Sequence, residues 1–256
     1  MIHFEKFDGV GKITLNRPDK YHSFVREMAL KLQETLDICE KDDEIRSVMI
    51  TASGKAFCAG QDLTEATDPN GINISTIIQE HYNPIILKIR NLNKPVIAAV
   101  NGVAAGAGAS LALCCDIIVA SENASFLQAF SKIGLIPDSG STYFLPRQVG
   151  MQRAAALMMT ADPISAHEAE KMGMIYKVYT QDDFEKESWN LVLKLANMPT
   201  KALSLTKKLL NSSVENSLEE QLNLEDRYQS VAANTEDFNE GVKAFLEKRK
   251  ANFKGK

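Results

Sequence analysis

The chain has 256 residues, enough to bury a large core and to form one or two domains. Hydrophobic residues make up 45% and charged residues 24%, which fits a globular protein in water and argues against a disordered chain. A net charge of −4 leaves no electrostatic footprint for nucleic acid.

The N-terminal MIHFEKFDG has no basic region followed by an apolar one, so no secretory signal is expected and the location is expected to be cytoplasmic. The most apolar segment, 96–120, is broken by Asn101, several glycines and Asp116, which makes it a poor membrane span. Cys39, Cys58, Cys114 and Cys115 read as buried reduced thiols; two of them are adjacent, an unlikely disulfide framework. None of His3, His22, His81 and His167 has metal-ligand spacing with another His or Cys, so no metal site is expected.

In chain order, residues 2–7 and 10–15 alternate like strands around an Asp8-Gly9 hairpin turn, and Arg17-Pro18 ends the second strand. Ser23 is expected to N-cap a helix with Phe24, Met28, Leu32 and Leu36 on one face. Val48 to Thr51 is an apolar strand that runs into AFCAGQDL (56–63), a glycine-containing bend. TDPNG (67–71) is a loop. Ile74, Ile77, Ile78, Tyr82, Ile85, Ile86 and Ile89 recur at helical spacing and read as core, with Pro84 expected to kink or split the helix.

The organising stretch is KPVIAAVNGVAAGAGASLALCCDII (94–118). Pro95 opens a short strand, Asn101-Gly102 is a turn signal, and 104–109 has almost no side chains. A strand that enters a glycine-rich bend and then a helix leaves backbone N–H groups unpaired at the helix start. With the positive end of the helix dipole, they suit an anion or a developing oxyanion. An equally good reading at this point is that the small residues only permit tight helix packing. The bend at 56–63 adds a second set of donors, and two converging bends could each give one N–H to a single oxygen.

Downstream, 117–120 and 124–126 look like strands and GLIPDSG (134–140) forms a turn-rich motif. Asp138 by itself reads as a turn aspartate capping a helix that begins near Ser139. Residues 151–160 are helical, Ser165 to Glu168 fits a capping box, and Gly173 is placed to stop that helix. A strand at 175–179 is followed by helices from Asp183 onward, broken near Pro199, Ser217 and Thr235, with a stripe of Phe238, Val242 and Phe245. Gly106-Ala107-Gly108 also begins a dinucleotide-binding fingerprint, but Leu111 stands where its third glycine belongs, which weakens a dinucleotide-binding oxidoreductase as an alternative.

FCAGQDL and NGVAAGAG, with LNRPDK before them and IGLIPDSGS after, resemble the crotonase (enoyl-CoA hydratase/isomerase) family over nearly the whole chain. The resemblance implies an α/β fold: a spiral of ββα units over 1–195 and a C-terminal helical region, 196–256, involved in trimerisation. It implies a homotrimer or dimer of trimers acting on an acyl-CoA thioester, with no nucleic-acid or membrane partner. It also implies no metal or redox cofactor, coenzyme A entering as part of the substrate. His22 departs from the family, whose members usually have asparagine there.

Carried over by motif, the oxyanion donors are the backbones of Gln61 and Ala107. Ser110 and Phe130 stand where family hydratases carry their two glutamates, so both acids are missing. Asp138 falls where some isomerases and dehalogenases of the family carry an active aspartate, and its neighbours Phe130, Ile133, Leu135 and Ile136 are expected to raise its pKa. One proton carrier and an oxyanion hole suit isomerisation. AFCAGQDL, NGVAAGAGASLAL, FSKIGLIPD and FLEKRKANFKGK are most similar to family members that turn ring-1,2-epoxyphenylacetyl-CoA into oxepin-CoA and also shift enoyl-CoA double bonds. The resemblance further suggests CoA contacts at Ala59 and Gln61 with Asp62 bracing the bend, Lys20 facing the phosphates, and Tyr82 and Phe130 against the acyl group. Phe253 and Lys256 are expected to approach CoA from a neighbouring subunit. An enoyl-CoA hydratase of the same family and a non-catalytic acyl-CoA-binding protein remain as alternatives.

Overall fold

Alternate strands of this chain go to two different sheets, and that alternation builds the site. The computed structural model describes residues 1–69 and 71–256; Asn70, in the expected TDPNG loop, lies outside them. β1 (Ile2–Phe7) and β2 (Val10–Leu15) form the hairpin, with Asp8 and Gly9 both left-handed. Then come α1 (Arg26–Lys41), β3 (Ser47–Ala52), β4 (Ala56–Cys58), α2 (Leu63–Ala66) and α3 (Ile74–Thr76). α3 runs into a π turn, Ile77–Tyr82, and on into α4 (Asn83–Asn91). β5 (Val96–Val100), β6 (Val103–Ala105), α5 (Ala107–Leu113), β7 (Ile117–Ser121), β8 (Ser125–Leu127) and a 3-10 turn at Ala129–Ile133 follow. The remainder is α6 (Ser141–Val149), α7 (Met151–Thr160), β9 (Ile164–Ser165), α8 (Ala166–Lys171), β10 (Lys177–Tyr179), α9 (Phe184–Ala196), α10 (Thr200–Ser212), α11 (Leu218–Ala233) and α12 (Glu236–Leu246).

The larger sheet has the order β1-β2-β3-β5-β7-β10 and is parallel beyond the first hairpin. The smaller has the order β4-β6-β8-β9. Thus β3, β5 and β7 each enter the larger sheet and the next strand crosses to the smaller one, the ββα spiral. β5 is buried at every residue, as a parallel strand covered on both faces should be. Val96, Ala98 and Val100 face the main core, whereas Ile97 and Ala99 pack with Met49 and Val119 under Phe184, Val192 and Ala196 of α9.

Two local expectations change. Ser23 does not cap α1. The phenyl-bearing Phe24 is drawn into a parallel bridge with Gln61, which keeps Val25 extended and delays the helix to Arg26. Ser23 instead accepts from the Arg17 guanidinium through its carbonyl and hydroxyl. Pro84 does not split its helix: residues 74–91 run on without a break, but the turn before the proline is a π turn, and the residue stripe divides there. Ile85, Ile86 and Ile89 belong to the core, whereas Ile74, Ile77, Ile78 and Tyr82 also line a cleft. The capping box at Ser165 forms as its spacing indicates, and at the expected breaks Ser217 and Thr235 N-cap α11 and α12.

Buried polar groups help to hold α10 and the C-terminal tail. The Lys207 ammonium, on α10, meets the Ile89 carbonyl at 2.7 Å and Asp116 at 2.8 Å. Asp116 also accepts from Arg90 and from the Val96 N–H. Asp237 is buried and accepts the Lys254 and Gly255 N–H groups, which pins the C-terminal tail to α12. The stripe of Phe238, Val242 and Phe245 is exposed in the single chain. Among the described residues no helix is long and apolar enough to cross a membrane. Removing Lys207 would leave Asp116 with Arg90 as its remaining cation and the buried Ile89 carbonyl without the ammonium. Lys207→Met is therefore expected to lower the unfolding free energy by about 3 kcal/mol, read from urea unfolding curves; an unchanged midpoint would show that α10 is held otherwise.

Candidate active site

The first bend is strapped to residues 21–24 by three backbone hydrogen bonds. Ala59 N–H donates to Tyr21 O at 2.9 Å, Phe24 N–H to Gly60 O at 2.7 Å, and Asp62 N–H to Phe24 O at 2.9 Å. In a parallel bridge of this kind the middle residue, Gln61, points its own N–H to the other side. That side is a cleft of about 240 Å³. The second bend follows β6. Gly106 N–H is taken by Leu127 O, and Ala107 is the first residue of α5, so its N–H has no partner within the helix.

Two glycines bring the bends together. A Cβ on Gly60, whose φ is +92°, would stand 3.0 Å from Ala105 O and 3.3 Å from Ala107 N. A Cβ on Gly108 would stand 2.2 Å from Cys58 O. The backbones thus touch where any side chain would force them apart. Gln61 and Ala107 both line the cleft, and two N–H groups directed into one apolar-walled space can hold an oxyanion.

The rest of the wall comes from α2, the π turn and the segment after β8: Leu63, Ile77, Tyr82, Phe130, Leu135 and Asp138 among others. Asp138 is the only carboxylate lining the cleft among the described residues, and Lys132 the only cation. The Asp138 side chain does not cap a helix. α6 starts at Ser141 with Gly140 as its N-cap, and Asp138 instead accepts from the Ser139 hydroxyl at 2.9 Å. Ser139 is held at φ +53°, an unfavourable geometry of the kind that collects at functional sites. Burial raises the Asp138 pKa above the ordinary carboxylate value, against the Ser139 hydrogen bond. Of the apolar neighbours expected to cause this, Ile136 is 80% exposed and does not line the cleft.

Ser110 is fully buried, spends its hydroxyl on Gly106 O, and does not line the cleft. Phe130 does line it. Tyr82 donates to the Gln61 side-chain oxygen at 2.9 Å. Burial first, then nearby acidic groups including Asp138, keep its phenol protonated. Ala59 lines the cleft and Asp62 braces the bend from behind. It accepts from Thr64 N–H at 3.0 Å and pairs with Arg17 at 2.7 Å. Burial would raise its carboxyl, but Arg17 and the Thr64 N–H outweigh it and hold the pKa below its ordinary value. Lys20 and Lys256, whose carbonyl takes the Asp237 N–H, are exposed and outside the cleft, and Phe253, half-buried near Gly241 of α12, is also outside it. A larger hollow of about 520 Å³ beside Trp189 touches neither bend.

Sequence reasoning assigns no supporting role to three residues that have one: Arg17, Glu65 and His22. His22 is buried at φ +55°, a conformation that Asn and His tolerate better than most, so the turn forms despite the departure from asparagine. Its Nδ1 accepts from Arg17 N–H at 2.9 Å, Nε2 donates to Ser53 O at 2.7 Å, and its carbonyl takes the Cys58 thiol proton. This requires neutral imidazole, and burial lowers its pKa accordingly.

The enoyl-CoA hydratase/isomerase family profile matches residues 5–256. The chain belongs to this family. It is an enzyme of that type, an isomerase or hydratase of CoA thioesters. It is 46% identical to the 1,2-epoxyphenylacetyl-CoA isomerase of Escherichia coli K12, across 100% of this chain and 98% of the relative. It is 34% identical to the trans-2-decenoyl-[acyl-carrier-protein] isomerase of Streptococcus mutans, across 97% and 96%. Its backbone superposes on the crystal structure of an enoyl-CoA hydratase from Bacillus anthracis with a TM-score of 0.93 at 32% identity, covering 100% of this chain and 99% of that one.

Two outcomes follow for the bends. Gly108→Ala must push Cys58 and α5 apart, and a misplacement of about 1 Å can cost ~10²-fold in rate. It is expected to lower both turnover and Tm; a variant unchanged in both would show that the bends need no such closeness. His22 acts through pH. Its folded pKa is depressed, so the unfolded chain takes the proton first as pH falls through about 6.5. Its contribution to stability is full above that value and is lost below it. Urea unfolding at a series of pH values should show this loss, and the loss should shrink in His22→Asn.

Proposed function

We propose that the protein is an acyl-CoA isomerase in which one carboxylate, Asp138, moves the proton and the N–H groups of Gln61 and Ala107 hold the thioester oxygen. The observation that carries the reading is that, among the described residues, a single carboxylate lines the cleft that both bends line. With a 3-enoyl thioester, Asp138 takes the α-proton and the electron pair moves onto the thioester oxygen. The resulting dienolate is held by the two N–H groups. The Asp138 carboxylic acid then returns the proton to the γ-carbon, leaving the double bond next to the thioester. No cofactor is needed beyond the CoA of the substrate. The natural substrate we infer is a ring-epoxidised phenylacetyl thioester, rearranged to the oxepin. The 46% identity to a 1,2-epoxyphenylacetyl-CoA isomerase and the apolar cleft walls support it.

Hydration asks for an activated water. Ser110 is turned into α5, and Phe130 puts an apolar ring in the cleft. Assembly into trimers or a dimer of trimers belongs to the same reading, supported by the exposed apolar residues Leu218, Leu222, Phe238 and Phe245 of α11 and α12.

Asp138→Asn is expected to fold, to bind CoA thioesters, and to lose ~10²–10⁴-fold in the conversion of 3-hexenoyl-CoA to 2-hexenoyl-CoA. The base must be ionised, so wild-type kcat/KM should fall as pH drops through the raised Asp138 pKa, and this acid limb should vanish in the variant. Efficient hydration of crotonyl-CoA without double-bond migration, or near-normal turnover by Asp138→Asn, would refute the assignment.

A further inference from the structure

Gln61 enters the proposed chemistry only through its backbone, yet its side chain is the middle of a continuous hydrogen-bonded strap. The Tyr82 hydroxyl donates to Oε1 at 2.9 Å, and Nε2 donates to Glu65 Oε2 at 2.8 Å. The other Glu65 oxygen accepts the Arg26 N–H at 2.9 Å. Arg26 opens α1, whose N-cap, Val25, supplies no side-chain oxygen; Glu65 fills that place from α2. The far end of the strap is also fixed by α1. Gln33 donates to the carbonyls of Glu80 and His81, the two residues before Tyr82 in the π turn. One helix of 16 residues therefore frames Gln61 and Tyr82 from both sides.

The chemistry of the partners leaves the amide no freedom. A carboxylate only accepts, so Glu65 faces the Gln61 NH₂ group, and the amide oxygen is left to accept from the tyrosine hydroxyl. The strap meets the cleft wall at two points, Gln61 and Tyr82.

We propose that Glu65 is a positioning residue: through the Gln61 amide it fixes the Gln61 N–H and the Tyr82 hydroxyl in the places where the thioester oxygen and acyl group meet them. The proposal rests on the isomerase reading for its effect on rate, but its effect on the bound carbonyl is independent of that reading. Glu65→Gln separates positioning from helix capping. Its side-chain oxygen can still accept the Arg26 N–H, but its NH₂ group now opposes the Gln61 NH₂ group, so the native strap is lost: only a flipped Gln61 amide could bond it, and that turns the Tyr82 hydroxyl from donor to acceptor. Tyr82→Phe breaks the strap at the other end and leaves the cap untouched.

The test reads the C=O stretch of hexanoyl-CoA, ¹³C-labelled at the thioester carbon, by difference infrared spectroscopy on the wild type, both single variants and the double variant. Isomerase kinetics and Tm are measured in parallel. The expected result is a carbonyl band shifted to lower frequency on the wild type, with most of that shift lost in each variant. A fall in kcat of ~10- to 100-fold with KM little changed should accompany it. The double variant should be no worse than the poorer single one, because one strap is broken once. A Glu65→Gln protein with a lower Tm but the wild-type carbonyl shift and kcat would overturn the proposal, leaving Glu65 as a helix cap alone. A shift that moves with Glu65 in a protein that never isomerises would uphold the positioning and count against the isomerase reading only.

Discussion

Two stretches of backbone approach one another with no side chain between them, and the site depends on that approach. Gly60 lies against Ala105 and Ala107, and Gly108 against Cys58, so the end of β4 and the start of α5 are packed main chain to main chain. The rest of the fold can be viewed as the means of holding this contact. The ββα spiral places β4 and β6 side by side in the smaller sheet, so the bends that follow them start as neighbours. The 21–24 segment fixes the first bend and β8 the second. Arg17 and His22 tie the N-terminal segment to Asp62 and Cys58, so the donors sit on backbone that is bonded on its other side.

Much of this was legible in the sequence because it depends on local signals. β5 reads as a buried strand from five apolar residues, and the capping box at Ser165 reads from its spacing. The two glycine-containing bends could be paired from their motifs, and Asp138 singled out once Ser110 and Phe130 had been compared with the glutamates of family hydratases. What was not legible comes from long-range pairing. Ser23 has the chemistry of an N-cap, but the bridge between Phe24 and Gln61, 37 positions apart, decides where α1 begins. The cap arrives from Glu65 on another helix. Ser110, next to the bend in sequence, could be imagined facing a substrate; the helical turn instead aims its hydroxyl at Gly106 O.

The π turn illustrates the same limit. Isoleucines at helical spacing cannot reveal that one stripe serves two purposes, because a regular helix would keep it on one face. The wide turn before Pro84 divides it, giving Ile85 and Ile89 to the core while Ile74 and Ile78 turn to the cleft. Proline lacks the N–H that a regular helix would need there, so the wide turn falls where it costs least.

In the proposed reading the oxyanion donors are main-chain groups, so no replacement at Gln61 or Ala107 short of proline deletes a donor. The proposed acid is a side chain: Asp138 hangs from a separate segment, between the 3-10 turn and α6, that makes no part of either bend. Charge stabilisation and proton handling are therefore separable parts. On that reading, a chain with this frame can move from one reaction on CoA thioesters to another by changing which cleft positions carry carboxyl groups, without rebuilding the bends.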